Sequence, residues 1–77
     1  MGQYELGRLY YNQGDISKAE LCFTKAIEIS PNYSNALYSL ALIYQKQNKN
    51  KEALELFKKV LELNPDNEEV KQKISNF

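Results

Sequence analysis

The 77-residue chain has no histidine, no tryptophan, one cysteine, two prolines and three glycines. Without histidine it lacks the commonest general base and a leading zinc ligand. Cys22 has no second cysteine for an internal disulfide. It also has no cysteine or histidine partner for a metal site and no base to activate it as a nucleophile. The expected role of Cys22 is a small core or half-buried residue in a reducing compartment. Gly2, Gly7 and Gly14 are not spaced as a phosphate-cradling loop would be. Ten lysines and arginines balance ten aspartates and glutamates, so there is no excess of positive charge of the kind a nucleic-acid binder carries. No apolar run approaches the roughly 18 residues that span a bilayer, and the N-terminus lacks the basic-then-apolar order of a signal peptide. These absences predict a cytoplasmic protein that is not an enzyme, holds no cofactor or metal, and binds neither nucleic acid nor membrane.

What is present is a repeat. Residues 18 to 31, KAELCFTKAIEISP, are echoed by EALELFKKVLELNP at 52 to 65. A shift of 34 positions pairs Tyr4 with Tyr38, Leu6 with Leu40, Tyr10 with Tyr44 and Gln13 with Gln47. The same shift pairs Ala19 with Ala53, Phe23 with Phe57, Lys25 with Lys59, Glu28 with Glu62 and Pro31 with Pro65. Conservative pairs fill the gaps: Gly7 with Ala41, Leu9 with Ile43, Ile27 with Leu61. A unit has been copied, with its pattern kept where packing demands it.

Each unit reads as two helices. Leu6, Leu9 and Tyr10 recur at helical steps between Tyr4 and Gln13, and Ala19, Phe23, Ala26 and Ile27 form a second stripe from Ile16 to Ile29. Gly14 and its counterpart Asn48 are residue types that enter the left-handed region cheaply, so positive φ is expected at both. Asp15 and Asn50 are the candidate N-caps of the second helix in each unit. Pro31 and Pro65 bias the residues before them away from the α region and close the units. Gly7 and Ala41 suggest close approach of two helices, with Ala19 and Ala53 facing them. Phe23 and Phe57 are expected to fill the space between successive helices, with Tyr10 and Tyr44 beside them. Asp66 and Glu69 have capping-box spacing for a fifth helix, whose apolar edge is Val70, Ile74 and Phe77.

The order Leu6, Gly7, Tyr10, Gly14, Ala19, Phe23, Ala26, Pro31 resembles the tetratricopeptide repeat signature. Leu37, Leu40, Ala41, Tyr44, Ala53, Phe57, Val60 and Pro65 resemble it again. Gln3, where the family favours tryptophan, and Val60, where it favours alanine, depart from it. The resemblance implies an all-α fold, an α-α solenoid of antiparallel helical hairpins with five helices. A single domain over residues 1–77 is expected, with repeat one at about 1–33, repeat two at about 34–67 and, at about 68–77, a capping helix or equally the opening helix of a truncated third repeat. A chain this short gains only roughly 3–5 kcal/mol from one core, so neighbours are expected to help. Leu9 has no preceding repeat to pack on, which predicts either excision from a longer array or self-association into a homo-oligomer.

In such arrays the first helix of each repeat lines a concave groove. By position this implies Met1, Tyr4, Arg8, Tyr11 and Asn12 from repeat one, and Asn35, Tyr38, Leu42, Gln45 and Lys46 from repeat two. Glu69, Gln72 and Asn76 would close the end. Steps of three and four independently put each set on one helix face. Tyrosines supply contact area at low entropy cost and amides can satisfy an extended backbone, so a protein or peptide partner is expected. One subclass of the family grips a C-terminal carboxylate with a lysine and an asparagine. Here Tyr4 and Arg8 hold those positions and Leu42 a usually polar one, which argues against such a clamp. Glu52 and Glu55 read as solvated helical faces, and the lysines at 46, 49, 51, 58 and 59 as a solvated rim or a surface for an acidic partner.

Overall fold

The computed structural model describes residues 2–77, so the groove position assigned to Met1 lies outside the described residues. Five helices follow one another: α1 (Gln3–Asn12), α2 (Ile16–Ile29), α3 (Ser34–Lys46), α4 (Asn50–Leu63) and α5 (Glu68–Ser75), with no strand among the described residues. α1 packs on α2 and α3 on α4 as two hairpins, α2 joins the hairpins by packing on α3, and α5 lies on α4.

The turns inside the two hairpins have one geometry. Gly14 has φ 84° and Asn48 has φ 62°. In the first turn the Asp15 N–H donates to the Tyr10 carbonyl at 2.9 Å and the Gly14 N–H to that of Tyr11 at 3.0 Å. In the second, Lys49 N–H reaches Tyr44 at 2.8 Å and Asn48 N–H reaches Gln45 at 3.1 Å. This paired bonding satisfies the last carbonyls of α1 and α3 and requires a left-handed residue between them, which glycine and asparagine supply.

The N-caps are less regular. Asp15 caps α2, its side chain accepting from the Lys18 N–H. The counterpart expected at Asn50 does not form: Asn50 is the first helical residue of α4, and Lys49 stands at the cap without a side-chain bond. The capping box expected from Asp66 and Glu69 is also displaced. Asn67 caps α5, accepting from the Val70 N–H at 3.2 Å. At α5 two neighbouring polar residues offer the same role and Asn67 holds it, whereas at α4 no side chain does.

Phe23 and Phe57 are buried in equivalent positions, 1% and 0% exposed. One cluster holds Ala19, Phe23, Leu40 and Ile43, and the other holds Leu37, Ala41, Ala53, Phe57, Val60 and Val70. Fully burying side chains of this size contributes about 1.5–3 kcal/mol each. Ile43 packs on the first repeat, whereas its counterpart Leu9 is 44% exposed. Val70 seats α5 on the second cluster, and Ile74 packs beside it.

The structure adds detail to the packing around the two phenylalanines. The atoms nearest Gly7 belong to the Phe23 ring: an added Cβ would stand 2.7 Å from a ring carbon. The nearest rings to the phenylalanines are Tyr4 against Phe23 and Tyr38 against Phe57, each at 5.8 Å between centroids, and Phe77 against Phe57 at 5.9 Å. Tyr10 packs on the Phe23 cluster, and Tyr44 on both that cluster and the Phe57 cluster.

Candidate functional site

Because α1 and α3 hold equivalent places in the two hairpins, their outward stripes face the same side. Arg8, Tyr11 and Asn12 of α1 and Ser39 and Leu42 of α3 surround one cavity of about 120 Å³, and Phe23 forms its base. Four residues expected in the groove thus meet in one place. Lys46 joins them indirectly, its Nζ 5.5 Å from the centre of the Tyr11 ring. Arg8 lies over the Tyr4 ring at 5.8 Å. Each cation is therefore held against an aromatic face, an attraction of about 0.5–1 kcal/mol at exposed sites, and both remain exposed.

Asn35 and Tyr38 belong to a second, more polar hollow with Ser34, Asn64, Asn67 and Glu69. The Tyr38 hydroxyl donates to a Glu69 carboxylate oxygen. Burial, the hydrogen bond to Glu69 and the charge of Glu69, in that order, hold the Tyr38 phenol well above its usual range. Asn64 Nδ2 donates to Ser34 Oγ at 3.0 Å. The polar groups at this end are partly spent on one another. Tyr4 stands apart from both hollows, half-buried against Phe23 and 5.1 Å from the Tyr33 ring. Gln45 is exposed and lines neither hollow. Of the residues expected to close the end, Glu69 reaches Tyr38, while Gln72 and Asn76 line a separate hollow with Glu68, Lys71 and Ser75.

Sequence reasoning passed over Ser39, although its signal was present: it lies four residues after Asn35 and three before Leu42, on the stride that selected both. Ser34, Asn64 and Asn67 sit at or between helix ends, where no helical stride could have found them.

The hairpins, the buried phenylalanine pair and the shared face of the leading helices agree with a match to known sequences. The family profile described as Tetratricopeptide repeat matches residues 34–67, and the one described as TPR repeat matches residues 7–48. The chain belongs to the tetratricopeptide repeat family. Tetratricopeptide repeats generally mediate protein–protein interaction and are generally non-catalytic modules. The uncharacterized protein ycf37 of Pyropia yezoensis is 42% identical over 62 residues, 80% of this chain and 35% of its own length. Protein O-mannosyl-transferase TMTC3 of Homo sapiens is 32% identical over 65 residues, 84% of this chain and 7% of its own length. The tetratricopeptide chain thus spans about a third of the first relative and less than a tenth of the second. No helix among the described residues is long and apolar enough to cross a membrane.

Proposed function

We propose that this chain binds a peptide or helical segment of a partner protein in the concave groove lined by α1 and α3. The observation that carries this reading is the cavity in which Arg8, Tyr11 and Asn12 face Ser39 and Leu42 over Phe23. Its volume, about 120 Å³, suits one apolar side chain of the partner. Phe23, Tyr11 and Leu42 would cover that anchor, while Asn12, Ser39 and Arg8 bond the partner's backbone around it. Lys46 and Tyr4 flank the anchor, and Asn35, Tyr38 and Gln45 extend the surface along α3. Residues 1–77 act in this reading as one repeat domain, and the free Cys22 fits a reducing, cytoplasmic setting.

The test is selection of peptides on the purified chain, followed by calorimetry with a selected sequence. Leu42→Asp and Arg8→Ala should each weaken binding by about tenfold or more. Undiminished affinity in both variants refutes the groove.

A second reading, self-association through the edge of α1, is favoured by Leu9, which is 44% exposed where Ile43 is buried. Sedimentation at several concentrations should then reveal a dimer that Leu9→Asp dissolves; a monomer throughout removes this reading.

A further inference from the structure

A second groove lies on the other side of the helical layer. Its walls are α2 and α4 and its floor is α3, from which Leu40 and Tyr44 enter it. Each of those residues is two positions from Leu42, roughly 200° around the helix, so this groove faces away from the concave cavity. It has a volume of about 310 Å³, with Ile27 on the α2 wall and Leu56 on the α4 wall. Ile27, Tyr44 and Leu56 are only partly buried by the protein's own packing.

The rim is acidic. Glu28 stands on one wall and Glu52 and Glu55 on the other. None of the three forms an ion pair among the described residues, where the pairs are Lys18 with Asp15 and Lys71 with Glu68. Glu20 continues the α2 wall two turns before Glu28, its carboxylate accepting from the Gln47 amide at 3.0 Å. The cations nearby are Lys49, which lies 5.5 Å over the Tyr44 ring, Lys25, one turn before Glu28 on α2, and Lys51 and Lys59, one turn on either side of Glu55 on α4; none of them lines the groove. Burial first, then the charges of Glu20 and Glu52, raise the Tyr44 phenol above its usual range, so the carboxylate field reaches the floor. Three carboxylates and no cation thus line an accessible apolar strip, with Glu20 beyond its end.

We propose that this groove is a second interaction surface, which takes a basic amphipathic segment of another protein. Lysine or arginine side chains of that segment meet Glu28, Glu52 and Glu55, and its apolar side chains cover Ile27, Leu56 and the Tyr44 ring. The eight-residue span from Glu20 to Glu28 is about 12 Å along the helix, enough for two helical turns or four extended residues of the partner. Apolar burial supplies the affinity, and the acidic rim selects the sign of the partner's charge. Glu52 and Glu55 then do more than solvate a helix.

The probe is an amidated peptide of about 12 residues with leucines at i, i+3, i+4 and i+7 and lysines between them, titrated into the 15N-labelled chain. Expected are amide shifts at Thr24, Leu40, Glu52 and Leu56, and no binding of the same peptide with glutamate in place of lysine. The Glu28→Gln, Glu52→Gln, Glu55→Gln triple variant should weaken binding about tenfold or more, as should raising salt from about 0.05 M to about 0.5 M. Should the triple variant not fold, Glu55→Gln alone and the salt series decide. Shifts centred on Arg8, Asn12 and Ser39, or affinity indifferent to the substitutions and to salt, overturn the proposal. So do groove shifts that grow with protein concentration in the absence of peptide, which would assign the surface to a second copy of the chain.

Discussion

Replacing Gly7 with alanine sets two terms of opposite sign against each other. In an α-helix interior alanine is favoured over glycine by about 1 kcal/mol. At this position, however, the new methyl carbon would stand 2.7, 2.9 and 3.1 Å from three carbons of the Phe23 ring. Carbon atoms rest comfortably at about 3.5–4.0 Å, so the ring would have to retreat by close to an ångström. Phe23 is 1% exposed and packs with Ala19, Leu40 and Ile43, which leaves little room for that retreat. Overpacking of this kind costs about 1–3 kcal/mol, so the net change is a destabilisation of about 1 kcal/mol. In a chain of this size that lowers the melting temperature by about 4–8 °C, read by circular dichroism at 222 nm. The decisive control is the Phe23→Leu background. There the space beside residue 7 opens, and the same glycine-to-alanine change should stabilise by up to about 1 kcal/mol. A gain of about 1 kcal/mol in the otherwise unaltered chain would refute the steric argument, since helix propensity alone would then govern the site.

Three further outcomes follow from single residues. Gly14→Ala meets no atom within 4 Å but must hold φ 84°, so it should cost about 1–2 kcal/mol by urea unfolding, whereas Asn48→Gly should gain a few tenths to about 1 kcal/mol. Asn67→Ala removes the side-chain acceptor for the Val70 N–H, and should cost about 1 kcal/mol and speed amide exchange in α5 before the rest of the chain. The Tyr38 phenol, held above its ordinary value near 10, stays protonated in the folded chain at pH values where the unfolded chain ionises. Its contribution is therefore complete below pH 10 and declines as pH rises beyond it, so stability measured by urea should be level through neutrality, fall in alkali and fall less steeply in Tyr38→Phe.

The amino-acid sequence by itself determined the period of the repeat, the helical stripes, the left-handed residues at Gly14 and Asn48, and the burial of Phe23 and Phe57. Each of these is encoded within a few residues: apolar spacing follows the turn of the helix, and only certain side chains tolerate positive φ. Tertiary structure decided the rest. Gly7 stands closest to the Phe23 ring, Tyr38 gives its hydroxyl to Glu69, and Asn67 prevails over Asp66 as the cap of α5. It also decided that α1 and α3 enclose one small cavity at Arg8 and Leu42 and a separate polar hollow at Asn35. The physical reason is angular. Successive residues turn by about 100° around a helix, so a stripe names the face that packs, while the partner atom depends on how neighbouring helices rotate and cross, which no single helix encodes.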